Sequence, residues 1–204
     1  MLVTALEEYT KGRYKIYLDE QFAFVLYKGE LRRFKMKIDS ELTESEYEEI
    51  INDIILKRAK RRTLYLLKDM DRTEQQVRNK LKEGFYPEDI INYAIEYAKG
   101  YHYINDENYA RRYVEYKRST KSRMAIALDL RNKGITKEII DQVYEESNII
   151  DDEAIVKLIK KKRVDVNEAD KDQLRKLYMY LCRKGFRYED IDNAIARMKE
   201  ESTV

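Results

Sequence analysis

Three short stretches of this chain close in the same way, and their recurrence restricts the fold more than any other feature. Lys82-Glu83-Gly84-Phe85, Asn132-Lys133-Gly134-Ile135 and Arg183-Lys184-Gly185-Phe186 each run through polar residues into one glycine and then an apolar side chain. A glycine takes the left-handed position after a helix without steric cost, and the next apolar residue packs back on the last turn. Each stretch therefore reads as a helix end, with positive φ expected at Gly84, Gly134 and Gly185. The glycines stand 50 and 51 residues apart. An isoleucine follows each by six positions, at Ile90, Ile140 and Ile191. Tyr93, Val143 and Ala194 follow at nine, so these positions mark one face of a second helix. Pro87 suits the first position of that helix in the first unit, and Thr136 suits the N-cap in the second. Ile104-Asn105-Asp106-Glu107 and Ile150-Asp151-Asp152-Glu153 open a further helix in each of two units, with Asn105 and Asp151 as N-caps and acids behind them.

The first 38 residues differ in texture. Tyr14-Lys15-Ile16-Tyr17-Leu18 and Phe22-Ala23-Phe24-Val25-Leu26-Tyr27 are strand-like, separated by Asp19-Glu20-Gln21 and followed by Lys28-Gly29-Glu30, polar breaks of the kind that join antiparallel strands. At Thr43 the pattern becomes helical. Thr43 and Glu46 form a capping box, and Tyr47, Ile50, Ile51, Ile54 and Ile55 recur at helical spacing. The expected fold is mainly α. N-terminal strands plus a helix occupy 1–57, and three-helix repeats occupy 58–102, 103–149 and 150–204. Such units bury their faces mainly against neighbours, which predicts an elongated, curved solenoid.

Composition narrows the function. One cysteine, Cys182, excludes an internal disulfide, and with one histidine, His102, it leaves too few soft ligands for a zinc site. The spacing of Cys182 from Tyr178 and Leu174 suggests a buried, inert thiol, and His102 reads as a joint residue. No apolar run resembles a signal peptide or a membrane span, so a soluble cytoplasmic protein is expected. The glycines are scattered and form no phosphate-cradling loop. Paired acids such as Asp151-Asp152 and Glu48-Glu49 diverge around a helix, so no catalytic set, metal or cofactor is legible.

The 41 Lys+Arg nearly balance the 39 Asp+Glu, so distribution matters more than the net charge of +2. Basic residues concentrate in 57–62, 111–123 and 157–163. Candidate contacts to a polyanion are Arg61 and Arg62 in the first cluster and Arg111, Arg112, Lys117, Arg118, Lys121 and Arg123 in the second. Arg111, Lys117 and Arg118 share one helix stripe, while Lys121 and Arg123 sit at the turn beyond it. Tyr109, Tyr113 and Tyr116 interleave this cluster and read either as a packed stripe or as stacking platforms for bases. The acids between Asp39 and Glu49 read as the cap and solvated face of the Thr43 helix, or as a surface for a basic partner.

Gly100-Tyr101-His102-Tyr103-Ile104-Asn105-Asp106-Glu107-Asn108-Tyr109-Ala110, then Leu130 to Ile135, then Tyr180 to Phe186, in this order, resemble the RecX family of recombination regulators. Arg61 to Lys68, Glu74 and Val77 to Leu81 resemble that family's first repeat. Tyr14 to Leu18 with Phe24-Val25 resemble the N-terminal extension of its Gram-positive branch. Two departures bear on local geometry: Ser119 to Met124 lacks the glycine that often opens the family's middle helix, and Leu81 stands one residue closer to Gly84 than its counterparts do to theirs. The resemblance implies a non-enzymatic monomer that lies along a RecA–DNA filament and contacts RecA and single- or double-stranded DNA. It also implies an effect, inhibition foremost, on filament growth, ATP turnover, strand exchange and self-cleavage of the SOS repressor. A stand-alone nucleic-acid-binding regulator and a protein-only helical scaffold are the alternatives that the residues alone leave open.

Overall fold

The computed structural model describes residues 1–147 and 151–201. Ile150, one of the residues singled out above, lies outside them. The chain divides into two compact units, Met1–Asn105 and Asp106–Val204.

The first unit opens with an antiparallel sheet of β1 (Val3–Thr10), β2 (Arg13–Leu18) and β3 (Gln21–Tyr27) in that order. Both anticipated strands are present, and β1 is additional. Ile16 faces Phe24 across β2 and β3, and both are fully buried, which fixes the register through one apolar face. Asp19 and Glu20 form the β2–β3 turn with φ of 48° and 68°, the positive values that a two-residue hairpin matching strand twist requires. Lys28-Gly29-Glu30 does not join strands. It opens a short helix, α1 (Lys28–Arg33), because the Glu30 carboxylate accepts a hydrogen bond from Tyr27 N at 2.7 Å and completes a cap.

The Thr43 capping box forms as expected, with Glu46 N donating to Thr43 Oγ1 at 3.3 Å. It starts α2 (Glu44–Glu49), which continues through a π-helical stretch (Ile50–Leu56) into α3 (Lys57–Leu67). Ile50 and Ile55, five positions apart, are both buried, and five is the period of π-type hydrogen bonding. The stretch thus rephases the helix, so that Ala59, Thr63 and Leu66 face inward along α3. The helices α4 (Glu74–Lys82) and α5 (Glu88–Gly100) complete the unit, whose core runs from Val3 and Phe24 through Ile55 to Val77, Leu81, Ile91 and Ile95.

The second unit holds α6 (Asp106–Lys117), α7 (Arg123–Asn132), α8 (Lys137–Ser147), α9 (Asp152–Lys162), α10 (Lys171–Arg183) and α11 (Tyr188–Glu201). It has two apolar clusters, one for each set of three helices. One gathers Ala110, Val114, Ile126, Leu130, Ile140 and Val143, and the other Ile155, Ile159, Leu177, Leu181, Phe186 and Ile191.

The three helix ends share one hydrogen-bond pattern, but its phase is set by leucine and not by glycine. Tyr86 N, Ile135 N and Phe186 N donate to Leu81 O, Leu130 O and Leu181 O at 3.3, 3.0 and 3.3 Å. Inside these, Phe85 N, Gly134 N and Gly185 N donate to Lys82 O, Arg131 O and Cys182 O, each at 2.9 Å, which completes a Schellman motif. Positive φ therefore falls on Gly134 and Gly185, both at 87°, but on Phe85 at 59° in the first repeat. Gly84 lies outside the left-handed region, against expectation, because the leucine precedes it by three residues and not four. The same shift moves Pro87 from the first helical position to the N-cap, level with Thr136. It also makes Ile91 and Ala94 the counterparts of Ile140 and Val143. Ile90 is buried beside Ile91, whereas Tyr93 is 64% exposed and does not face the core.

Two further expectations are corrected. Cys182 is exposed, because its neighbour Leu181 takes the inward position and the next helical residue turns about 100° away. Asp151 stands at the N-cap of α9, yet its carboxylate accepts no hydrogen bond from that helix. It accepts from Arg123 N of α7 at 2.8 Å instead. There it joins Ser122, whose hydroxyl accepts from Ala125 N and donates to Lys184 O at 2.8 Å, and Tyr144, whose hydroxyl donates to Arg123 O. These bonds tie the second repeat to the third. Burial pushes the Asp151 carboxyl above the usual carboxylate range.

Candidate nucleic-acid interface

The structure places Arg61 and Arg62 in the first unit and Arg111, Arg112, Lys117, Arg118, Lys121 and Arg123 in the second. The second group is extensively paired. Arg111 on α6 contacts Glu107 one turn earlier and Glu146 of α8, and hydrogen bonding to Glu146 leads the causes that raise its pKa. Arg118 pairs with Glu115 at 3.2 Å. Lys121 donates to Asp129 at 2.5 Å, and that bond is the first cause holding the Asp129 carboxyl below its usual range. Arg123 covers the Tyr144 ring at 4.4 Å, and Lys117 covers Tyr116 at the same distance. Arg112 is exposed on α6. Exposed ion pairs contribute about 0–1 kcal/mol each, so these cations remain exchangeable, but the field they present is partly cancelled.

The interleaved tyrosines divide by position. Tyr109 and Tyr113 pack on the α6–α8 core and stack on each other with centroids 6.2 Å apart. Burial, then the hydrogen bond to Asp129, raises the Tyr113 hydroxyl to about 12. Tyr116 is 74% exposed and remains available as a platform.

The third cluster behaves differently. Lys157, Lys160 and Lys161 are exposed along α9 and have no carboxylate partner among the described residues. Lys162 covers Tyr180 at 4.5 Å, and Arg163 ends the helix with φ of 56°.

The first cluster belongs to a groove that the sequence did not reveal. Its walls come from the sheet, through Tyr9, Arg13 and Tyr27, and from the helices, through Arg58, Arg62 and Tyr86; Arg61 also lines it, and it encloses about 650 Å³. Arg13 and Tyr27 are cross-strand partners on β2 and β3, and the Arg13 guanidinium lies 5.3 Å from the Tyr27 ring. Arg58 stacks on the same ring at 4.2 Å, donates to Val25 O at 3.0 Å and pairs with Glu30. Hydrogen bonding to Tyr9 is the first cause of a raised Arg13 pKa. Burial raises the Tyr86 hydroxyl, opposed by the charges of Arg58, Arg62 and Arg13 around it. Only Arg58, Arg61 and Arg62 carried a sequence signal, as a basic run. Arg13 joins them through β2 and its register with β3, which composition does not encode.

Among the described residues no group of histidine, cysteine, aspartate or glutamate side chains is arranged to hold a metal ion, and no helix is long and apolar enough to cross a membrane.

Residues 59–97, 105–143 and 150–195 match the first, second and third three-helix domains of RecX, in that order. The chain is 34% identical over 197 residues to a regulatory protein RecX of Caldanaerobacter subterraneus subsp. tengcongensis, covering 96% of this chain and 98% of that one. It is 30% identical to a regulatory protein RecX of Clostridium beijerinckii, covering 95% and 92%. A crystal structure of a regulatory protein RecX superposes with a TM-score of 0.62 at 28% identity over 95% of this chain and 98% of that one. RecX from Lactobacillus salivarius superposes with a TM-score of 0.64 at 28% identity, over 71% of this chain and 96% of that one.

Proposed function

Because this chain belongs to the RecX family of regulatory proteins, we propose that it binds the filament of RecA recombinase on DNA and restrains its activity in recombination, DNA repair and the SOS response. The observation that carries the reading is the ordered set of three RecX three-helix domains within a chain matched almost end to end by its relatives. As a regulatory protein and not an enzyme, it acts through contact alone. It does so in the cytoplasm as a monomer, without a cofactor.

Charge supports a DNA contact within that reading. Arg61, Arg62 and the lysines of α9 have no carboxylate partners among the described residues and are placed to neutralise phosphates. Arg111, Arg112, Lys117, Arg118, Lys121 and Arg123 serve as a second set, in which Arg111, Arg118 and Lys121 exchange their acids for filament phosphates or for acidic side chains of RecA. The test is the ATPase of RecA on single-stranded DNA, with this protein added at substoichiometric ratios. ATP turnover is expected to fall. Unchanged turnover at every ratio would remove the reading.

A further inference from the structure

We propose that the groove between the N-terminal sheet and the helices of the first repeat is a binding site for single-stranded nucleic acid, with its phosphates held by Arg13, Arg61 and Arg62. The inference deepens the DNA contact proposed above and rests on that reading for the class of polymer.

The first argument is charge. The groove is lined by Arg13, Arg58, Arg61, Arg62 and Lys80 against the single acid Glu83. Glu83 is committed to Lys80 at 2.8 Å, and Arg58 to Glu30. Arg13, Arg61 and Arg62 have no carboxylate partner among the described residues. Three cations facing one concavity repel each other, and an anion relieves that repulsion.

The second argument is the chemistry that holds the arginines. Arg13 is surrounded by phenols: Tyr9 and Tyr86 line the same groove, and the Tyr27 ring centroid lies 5.3 Å from its guanidinium. Arg62 lies 5.5 Å from the Tyr65 ring centroid. A guanidinium against an aromatic ring keeps its fork of N–H donors free for a phosphate, which accepts two of them at once. A carboxylate-paired arginine would have spent the same fork.

The third argument is shape. A volume of about 650 Å³ lies within the range of pockets that enclose small organic guests, so a strand enters where a flat protein surface or an intact duplex does not. Tyr9, Phe85 and Tyr86 also line it and give aromatic surface for unpaired bases. Phe85 is held there by edge-on contacts to Tyr9 and Phe22 at 5.2 and 6.3 Å and by Lys15 at 4.5 Å from its centroid.

The test is fluorescence anisotropy of a fluorescein-labelled oligothymidylate with the full chain, titrated at several salt concentrations. The groove variant combines R13Q, R61Q and R62Q, all at exposed positions. A control removes the same charge from exposed positions outside the proposed contacts through K137Q, K171Q and R175Q. Circular dichroism verifies that both fold. The groove variant is expected to bind at least about tenfold more weakly and to lose about 2 from its log–log salt slope, since each single-strand phosphate contributes about 0.7. The control is expected to lose clearly less. The inference falls if the wild type does not bind the oligonucleotide, if the groove variant binds as the wild type does, or if the control loses as much. It also falls if the variant loses only DNA-free RecA, which would make the groove a protein contact. Failure here with RecA ATPase still restrained leaves the regulatory reading standing. Oligonucleotide binding through the groove with RecA unaffected refutes the regulatory reading alone.

Discussion

The helix end at Leu81 in the first repeat and those at Leu130 and Leu181 in the later two solve one geometric problem with different residues. All three place the residue four after the leucine in the left-handed region. The later repeats use Gly134 and Gly185 there, while the first uses Phe85. A non-glycine residue in that conformation costs about 1–2 kcal/mol, so the first repeat must recover that amount elsewhere. It does so through the ring, which reaches the sheet at Tyr9, Phe22 and Lys15. Among its described residues the second unit holds no strand. A strained backbone position in the first repeat thus serves the contact with the extra N-terminal element.

The largest effect is expected of Gly185→Ala. Its φ of 87° penalises any Cβ, and the added carbon would also stand 2.8 Å from Ser122 Oγ, which holds the joint to Lys184 O. The expected loss is roughly 2–3 kcal/mol by urea unfolding, with the hydrogen bond adding to the backbone term. A loss below that of Gly134→Ala would refute the assigned role of the joint.

Asp151→Ala comes next, because it leaves Arg123 N at the start of α7 without its acceptor, at a cost of about 1–2 kcal/mol. Asp151→Asn keeps an acceptor and removes the buried charge. Burial raises the Asp151 pKa, so the folded state holds its proton more tightly than the unfolded chain. Its stabilising share is present below the unfolded-state pKa and is lost as pH rises through the folded one. Unfolding at several pH values should therefore show wild type gaining on Asp151→Asn between neutral pH and about pH 4. A constant gap would contradict this.

Gly134→Ala should cost about 1 kcal/mol, the backbone term alone. The smallest effect belongs to Phe85→Gly, where about 1 kcal/mol of released strain offsets ring contacts of similar size, for a net change within about 0.5 kcal/mol. Phe85→Ala keeps the strain and loses the ring, so it should be the worse of the two. If Phe85→Gly proved strongly stabilising, the ring would not be holding the sheet.

Much of this was legible in the sequence, and the misses have identifiable physical origins. The glycine spacing disclosed the repeat, but alignment on glycine hid a one-residue slip that alignment on Leu81, Leu130 and Leu181 removes. With it go the misplacement of Pro87 and the choice of Tyr93 over Ala94. The π-helical stretch escaped because Ile50, Ile51, Ile54 and Ile55 satisfy an α-helical pattern equally well. Strand β1 escaped because its side chains are mostly half-buried and do not alternate cleanly. Basic runs were visible as runs, and the Glu107–Arg111 pair follows helix spacing, whereas the pairing with Glu146 and Asp129 depends on tertiary packing that no spacing rule contains. The groove needed β1, the strand register and the sheet's approach to α3 all at once.

The proposed action of this chain on a RecA–DNA filament runs partly through phosphate contacts. The most direct test is its affinity for RecA filaments on single-stranded DNA across a salt series. The account predicts a log–log slope at least as steep as about −2, from three arginines at about 0.7 each for single-strand phosphates. A flat salt dependence, or no binding at any salt, would contradict it.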